Sequence, residues 1–450
     1  MTKVITYGTY DLLHYGHVRL LERAKELGDY LIVGVTSDDF DKTRGKINVQ
    51  QSLEERVAAV QATGVADKVI VEEYEGQKID DIRKYGVDIF TVGSDWAGYF
   101  DYLNEYCKVV YLPRTEGVSS TEIRDRRRSV NVGLVGYEKY LNKVFRECKY
   151  VNGVKVTALC AEHSGEFSEE LLAVDCVSPD LKTILESVDA VYIHSHPYVH
   201  YGQVRQALLA GKHVMCESPM AVSAEECRDL IETAKANGCV LMESLRTAYS
   251  MAYARMLLLI KGGRIGEVVS IDATCTSLKT NSSETGEKWS SMTAWGPTAL
   301  LPVFQILGTG YESISIASRC PDDRQMDEFS RIGIVYRNAV ATVKVGTGVK
   351  SEGELSISGT KGYIYVPAPW WKTDYFEVRY ENQEENKRYF YQLDGEGIRY
   401  EWVSFLKMIN AKNDGNGGEA GYIDNIDRTV SIAICSVMEK FHAGDNVKYI

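Results

Sequence analysis

The chain has 450 residues, 44% hydrophobic and 25% charged, with a formal net charge of −12. That length sets an expectation of two or three domains, and the composition is that of an ordinary globular protein. The negative balance excludes a general nucleic-acid or anionic-membrane binder. No apolar run approaches the roughly 20 residues of a membrane span, so no membrane insertion is expected. The ten cysteines include no CxxC pair. They read as buried, reduced thiols of a cytoplasmic protein, and the N-terminus shows no signal-peptide pattern.

In chain order, "KVITY", "YLIVGV", "KVIVE", "DIFTVG" and "KVVYL" are short β-branched runs separated by amphipathic helical patterns such as Leu20, Leu21, Ala24 and Leu27. This alternation predicts an α/β domain with a parallel, Rossmann-like sheet over residues 1–128. Its end, "SSTEIRDRRRSV", reads as a Ser/Thr-capped helix and then a basic, solvated linker. A second Rossmann-type domain is expected over 129–247, from "VNVGLVGY" through "VKVTALC", "AVYIHS", "KHVMCE" and "CVLME". From about Gly266 strands follow one another with little helix between them. Residues 248–450 are therefore expected to form an α+β domain with an open, mostly antiparallel sheet, closed by helices near 399–411 and 420–443.

The chemistry concentrates in "TYGTYDLLHYGH". Glycines Gly8 and Gly16 let backbone approach a ligand. His17 falls in the first turn of a helix, where free N–H groups and the dipole favour phosphate. His14 lies three residues earlier, so both imidazoles can face one anion. Two fixed donors at a helix mouth suit in-line attack on a phosphoryl group, because charge builds on its equatorial oxygens. Read in isolation, the pair is two surface histidines capping a helix; H-x-G-H after a strand and a glycine-containing turn favours the phosphoryl reading.

"TYGTYDLLHYGH" and "YLPRTEGVSST" resemble the two signature blocks of the HxGH nucleotidyltransferase superfamily, and more narrowly its glycerol-3-phosphate cytidylyltransferase branch, over residues 1 to about 126. The resemblance implies CTP and an alcohol phosphate as substrates, with a CDP-alcohol and pyrophosphate as products. It implies that His14 and His17 hold the α-phosphate of CTP and that Arg114 is a planar cation for phosphate. Ser119, Ser120 and Thr121 would offer hydroxyls and N–H groups to the β- and γ-phosphates, while Gly8 and Thr9 line the phosphate site. Asp11 would orient a histidine or meet a metal. Asp95 would accept from the nucleoside; relatives carry two acids here, and this chain has Ser94 before Asp95. Arg44 and Lys46 on "KTRGK" are candidates for gripping the acceptor's phosphate, Lys46 also for catalysis. Arg56 either joins them or forms an exposed ion pair with Glu54 or Glu55. Mg²⁺ is expected to accompany CTP.

"DAVYIHSHPYVHYGQVRQALLAGKHVMCESPMAVSAEE" resembles the Gfo/Idh/MocA oxidoreductase family, from about Val130 to the C-terminus. That family binds NAD(P) on a Rossmann domain through a turn of the G-x-G-x-x-G type. Here Gly133 and Gly136 lead into Glu138, a carboxylate where a glycine would meet the pyrophosphate. The family's E-K-P block reads Glu217-Ser218-Pro219, without its lysine. The helix normally carrying an aspartate and a histidine reads "GPTALLPVFQIL", with Pro302 and Ile306 in their places. The dinucleotide site is thus expected to be degenerate.

Three functions remain open. The first is a cytidylyltransferase fused to a non-catalytic oxidoreductase-like domain. The second is a bifunctional enzyme that also reduces a keto-sugar phosphate with NAD(P)H, using His196, His200, Glu217 or Tyr249 as acid–base groups. The third is an inactive scaffold. The resemblance further implies a homo-oligomer serving cell-surface polysaccharide synthesis.

Overall fold

The computed structural model describes residues 1–13, 15–37, 49, 51–74, 76–113, 129–136, 139–161, 167–279, 290–321, 326–391, 393–413 and 425–450. The chain divides into two compact units, Met1–Arg128 and Ser129–Ile450.

The first unit is built on β1 (Lys3–Gly8), β2 (Tyr30–Thr36), β3 (Lys68–Glu72), β4 (Ile89–Gly93) and β5 (Lys108–Leu112), in the order β3-β2-β1-β4-β5. All pairs are parallel. Val4, Leu31, Val33, Val35, Leu21, Ala24 and Val60 pack one face, and Ile5, Ile32, Ile82, Phe90 and Leu103 the other. Burial on both faces explains why these strands read as unbroken apolar runs. Helix Tyr15–Glu26 follows β1, and helix Leu53–Ala62 opens with a capping box between Ser52 and Glu55.

The second unit contains two sheets. The first has β6 (Val130–Gly136), β7 (Val154–Cys160), β8 (Cys176–Ser178), β9 (Ala190–His194), β10 (His213–Glu217) and β11 (Leu241–Ser244), in the order β11-β10-β9-β6-β7-β8. Every pair is parallel, and the strand order reverses between β6 and β9.

The other sheet holds β12 (Val268–Ser277), β13 (Ser313–Arg319), β14 (Phe329–Val335), β15 (Val340–Thr347), β16 (Leu355–Gly359), β17 (Tyr363–Val366), β18 (Tyr375–Arg379), β19 (Lys387–Phe390) and β20 (Val447–Tyr449). It is mostly antiparallel, as expected, but mixed: β12 pairs β15 and β13 pairs β20 in parallel. The helix Ser291–Leu307 carries Pro297 and Pro302 inside it and is apolar nearly all round, so it is buried rather than amphipathic. The last helix differs from expectation at its start. It begins at Arg428, because the Asp427 side chain accepts from the Thr429 N–H and caps it there.

Gly34 shows how tightly the first sheet packs. A Cβ there would sit 2.2 Å from Cδ1 of Tyr7. Gly34→Ala should therefore cost roughly 1–3 kcal/mol through overpacking. Urea unfolding measures this; an unchanged midpoint would mean that Tyr7 moves aside without penalty.

Candidate functional site

The first unit gathers its polar groups at the carboxyl ends of β1, β2 and β3, the edge where open parallel sheets bind ligands. After Gly8 the chain turns through Tyr10 (φ 52°) and Leu12 (φ 48°), both left-handed. A Cβ at Gly8 would lie 3.0–3.3 Å from the Tyr10 ring, so this turn is close-packed. Tyr10 is buried and lies edge-on to His17, with centroids 5.7 Å apart. His17 is the third residue of its helix, in the first turn, with Gly16 just before it. The turn is clamped from the opposite segment. Asp11 Oδ1 accepts from the Gln51 N–H (3.0 Å), and Gln51 Oε1 accepts from the Leu12 N–H (2.7 Å).

Arg56 departs from one of its two readings. It is fully buried, not exposed. Its Nη1 donates to the carbonyls of Thr9 (2.7 Å) and Thr36 (2.8 Å), and its Nε to that of Gln51 (3.2 Å). One guanidinium thus ties the ends of β1 and β2 to the start of the next helix. The helical repeat turns Arg56 inward while Glu54 and Glu55 face solvent.

A second buried network lies alongside and was not read from sequence. Lys78 pairs with Glu72 and lies 4.7 Å from the centroid of the Tyr7 ring. Thr36 Oγ1 donates to Glu72 Oε2 (2.9 Å), and the Tyr7 hydroxyl donates to Asp81 Oδ2 (2.9 Å). Burial and Asp81 raise the Tyr7 hydroxyl far above its usual range. Only the fold brings these residues of β1, β2, β3 and helix Gln77–Tyr85 together.

His14, Arg44, Lys46, Arg114, Ser119, Ser120, Thr121 and Glu138 lie outside the described residues. Asp95 sits in the short turn Ser94–Trp96 after β4; its side chain is likewise outside them. Among the described residues no group of three His, Cys, Asp or Glu side chains is arranged to hold a metal.

In the second unit, polar side chains crowd the carboxyl ends of β9, β10 and β11. The Tyr192 hydroxyl donates to Glu217 Oε1. Ser244 Oγ lies 3.3 Å from Glu217 Oε1 and 2.9 Å from Glu401 Oε1. A serine has one hydroxyl hydrogen, which these two carboxyl groups share. Burial, and then Glu217, push Glu401 well above the usual carboxylate range, against the nearby Arg246. Arg246 lies over the Tyr140 ring, 5.3 Å from Cζ to centroid, and Tyr140 packs on His194 at 4.6 Å. Glu396 is held by Lys143 (2.6 Å), Lys372 (2.7 Å) and Arg246 (3.5 Å).

Ser218, in place of a lysine, donates to the buried Glu243, which also accepts from Ser431. Positive charge is nevertheless present in Arg246, which no sequence motif marks. Of the four acid–base groups named from sequence, only Glu217 joins this cluster. His200 is clasped between the Ser195 and Pro219 carbonyls, at 2.8 Å each. His196 caps a helix, and Tyr249 donates to the Glu243 carbonyl (3.0 Å).

Two expectations follow. Arg56→Met should destabilise the first unit by roughly 2–4 kcal/mol, since several buried carbonyls lose their donor. A thermal melt tests this, and wild-type stability would show that the carbonyls find other partners. Glu396 resists the cost of burial through Lys143 and Lys372, which hold it at about 2. That lies below the roughly 4.3 of a free glutamate. Its contribution is therefore fully present above the unfolded value and lost as pH falls toward 2. Glu396→Gln should flatten the acid limb of stability against pH; an unaltered acid limb would refute this.

The Cytidylyltransferase-like family matches residues 5–126, and the Oxidoreductase family, NAD-binding Rossmann fold, matches residues 130–245. The glycerol-3-phosphate cytidylyltransferase of Bacillus spizizenii is 52% identical over 124 residues, which are 28% of this chain and 95% of that protein. The Staphylococcus aureus enzyme of the same name is 50% identical, with 28% and 93% covered. A solved structure of KijD10, a 3-ketoreductase from Actinomadura kijaniata in complex with NADP and TDP-benzene, aligns over 72% of this chain and 99% of its own, with a TM-score of 0.60 at 16% identity; that likeness shows the fold alone. Through its first unit the chain belongs to the glycerol-3-phosphate cytidylyltransferase family and is a nucleotidyltransferase, with an oxidoreductase-family Rossmann domain fused behind it.

Proposed function

We propose that the chain transfers CMP from CTP to a small alcohol phosphate such as glycerol 3-phosphate, releasing pyrophosphate and a CDP-alcohol. The observation that carries this reading is 52% identity across 95% of a glycerol-3-phosphate cytidylyltransferase. His14 and His17 stabilise the α-phosphoryl group in the transition state, with Arg114, Ser119, Ser120 and Thr121 on the remaining phosphates. Gly8, Thr9, Asp11, Gly16 and Asp95 line the CTP site, and Arg44 and Lys46 hold the acceptor. Arg56 acts here as a positioning residue, because its described donors are spent on carbonyls. Mg²⁺ bound with the triphosphate would supply charge neutralisation to the leaving pyrophosphate. Asp11, with one oxygen committed to Gln51, is the residue that would meet it. The enzyme works in the cytoplasm as a homo-oligomer, and its product feeds surface-polymer synthesis.

Residues 129–247 and 248–450 form, in this reading, a non-catalytic pair of domains. Leu141 stands where a third glycine would let helix and strand close up, and it is fully buried. Tyr140 and His194 fill the switch point between β6 and β9 with their own rings. The buried Pro302 and the half-buried Ile306 offer no proton. These residues do not fit a nicotinamide dinucleotide. A bifunctional reductase is the second reading, favoured by Glu217 and the cationic Arg246 within its electrostatic reach.

Pyrophosphate release from CTP with a panel of alcohol phosphates tests the first reading. ATP should serve far less well. His17→Ala should lower turnover about 10²-fold or more; near-normal turnover would remove His17 from the chemistry. Calorimetry of the full chain with NADH and NADPH tests the second: weak or absent binding is expected, and a micromolar dissociation constant would favour the reductase.

A further inference from the structure

We propose that Lys143, Arg246 and Lys372 form a binding site for the phosphate group of a small phosphomonoester, and that the Glu396 carboxylate is the internal group this phosphate displaces. The three cations come from separate parts of the second unit: helix Tyr140–Cys148, the residue two positions after β11, and the short turn Trp370–Lys372. They converge on one carboxylate. A carboxylate has two oxygens for three cations. Lys143 takes Oε1, while Lys372 and Arg246 share Oε2, leaving Arg246 at 3.5 Å. A phosphate monoester presents three terminal oxygens, one for each cation.

Charge points the same way. Displacing Glu396 leaves three cationic side chains, Lys143, Arg246 and Lys372, facing one place. A phosphate monoester, which carries close to two negative charges, suits such a cluster. The buried Tyr140 hydroxyl, under Arg246, has no hydrogen-bond partner among the described residues and is a further donor for a ligand oxygen.

The backbone beneath Glu396 indicates a displaceable strap. Gly395 (φ 56°), Glu396 (φ 53°) and Gly397 (φ 89°) are left-handed in succession, a conformation disfavoured for a residue with a Cβ. A Cβ on Gly395 would lie 2.0 Å from Glu147 Oε2, and one on Gly397 would lie 3.6 Å from the Arg246 Cβ. The segment is thus threaded between helix Tyr140–Cys148 and Arg246. The Glu396 side chain itself is 41% exposed. No core packing demands a carboxylate there; the cations do.

This inference rests on the reading that the second unit takes no dinucleotide. The experiment is calorimetry of the full chain with inorganic phosphate, glycerol 3-phosphate and NADPH as separate probes. Glu396→Gln removes the competing charge and should tighten phosphate and glycerol 3-phosphate binding about tenfold, the equivalent of one charge-assisted contact. Lys372→Gln should weaken both by a similar factor. Neither substitution should alter pyrophosphate release from CTP. Phosphate binding that ignores both substitutions belongs to the nucleotidyltransferase site and overturns the proposal. A response confined to NADPH overturns it too, and with it the non-dinucleotide reading. Should Lys372→Gln fail to fold, tightening by Glu396→Gln alone decides.

Discussion

Parallel pairing sends the carboxyl end of every strand to the same edge of its sheet, and the chemistry of both units stands on such an edge. Backbone groups there have finished their ladder and are open to side chains, loops and ligands. In the first unit that edge has to be held together, because the ends of β1 and β2 and the start of helix Leu53–Ala62 are different points of the chain. A buried guanidinium does this. Arg56 is permanently charged, so its burial is tolerable only with acceptors on its fork, and three carbonyls supply them. The Asp11–Gln51–Leu12 clamp adds two hydrogen bonds to the same loop. His17 then inherits a fixed position from its helix and from the Tyr10 ring.

The second unit uses the same edge differently. Where a dinucleotide-binding Rossmann fold keeps small residues and open backbone, this chain has Tyr140, Leu141 and His194. Around them sits a cluster of carboxyl groups and an arginine. Ser244 lies between Glu217 and Glu401 and shares its hydroxyl with both. Burial raises Glu401 well above the usual carboxylate range. Such a cluster is costly to build, and the convergence of three cations on Glu396 is its exposed end.

Fusing a transferase to this oxidoreductase-like unit has a chemical logic under either reading of the second unit. A reductase would make an alcohol phosphate; a phosphate-binding module would recognise one. In both cases the shared currency is a phosphorylated small alcohol, the class of acceptor that a cytidylyltransferase consumes.

The sequence by itself determined what local pattern can carry. Unbroken β-branched runs alternating with amphipathic helices announced two parallel sheets, since strands covered on both faces have no polar side. HYGH after a strand and a glycine turn, with RTEGVSST a hundred residues on, carried the nucleotidyltransferase identity, because neighbours in sequence sit together at a helix mouth. Tertiary structure alone decided the rest. Whether Arg56 met a glutamate on its own helix or three carbonyls elsewhere depended on which face was buried. Glu72 with Lys78 and Tyr7, and Arg246 with Tyr140, Lys143, Lys372 and Glu396, join residues up to 256 positions apart in the chain. No periodicity links such residues; parallel strands bring Tyr7 and Glu72 to one edge, while turns of the mostly antiparallel sheet region carry Lys372 and Glu396 to Arg246.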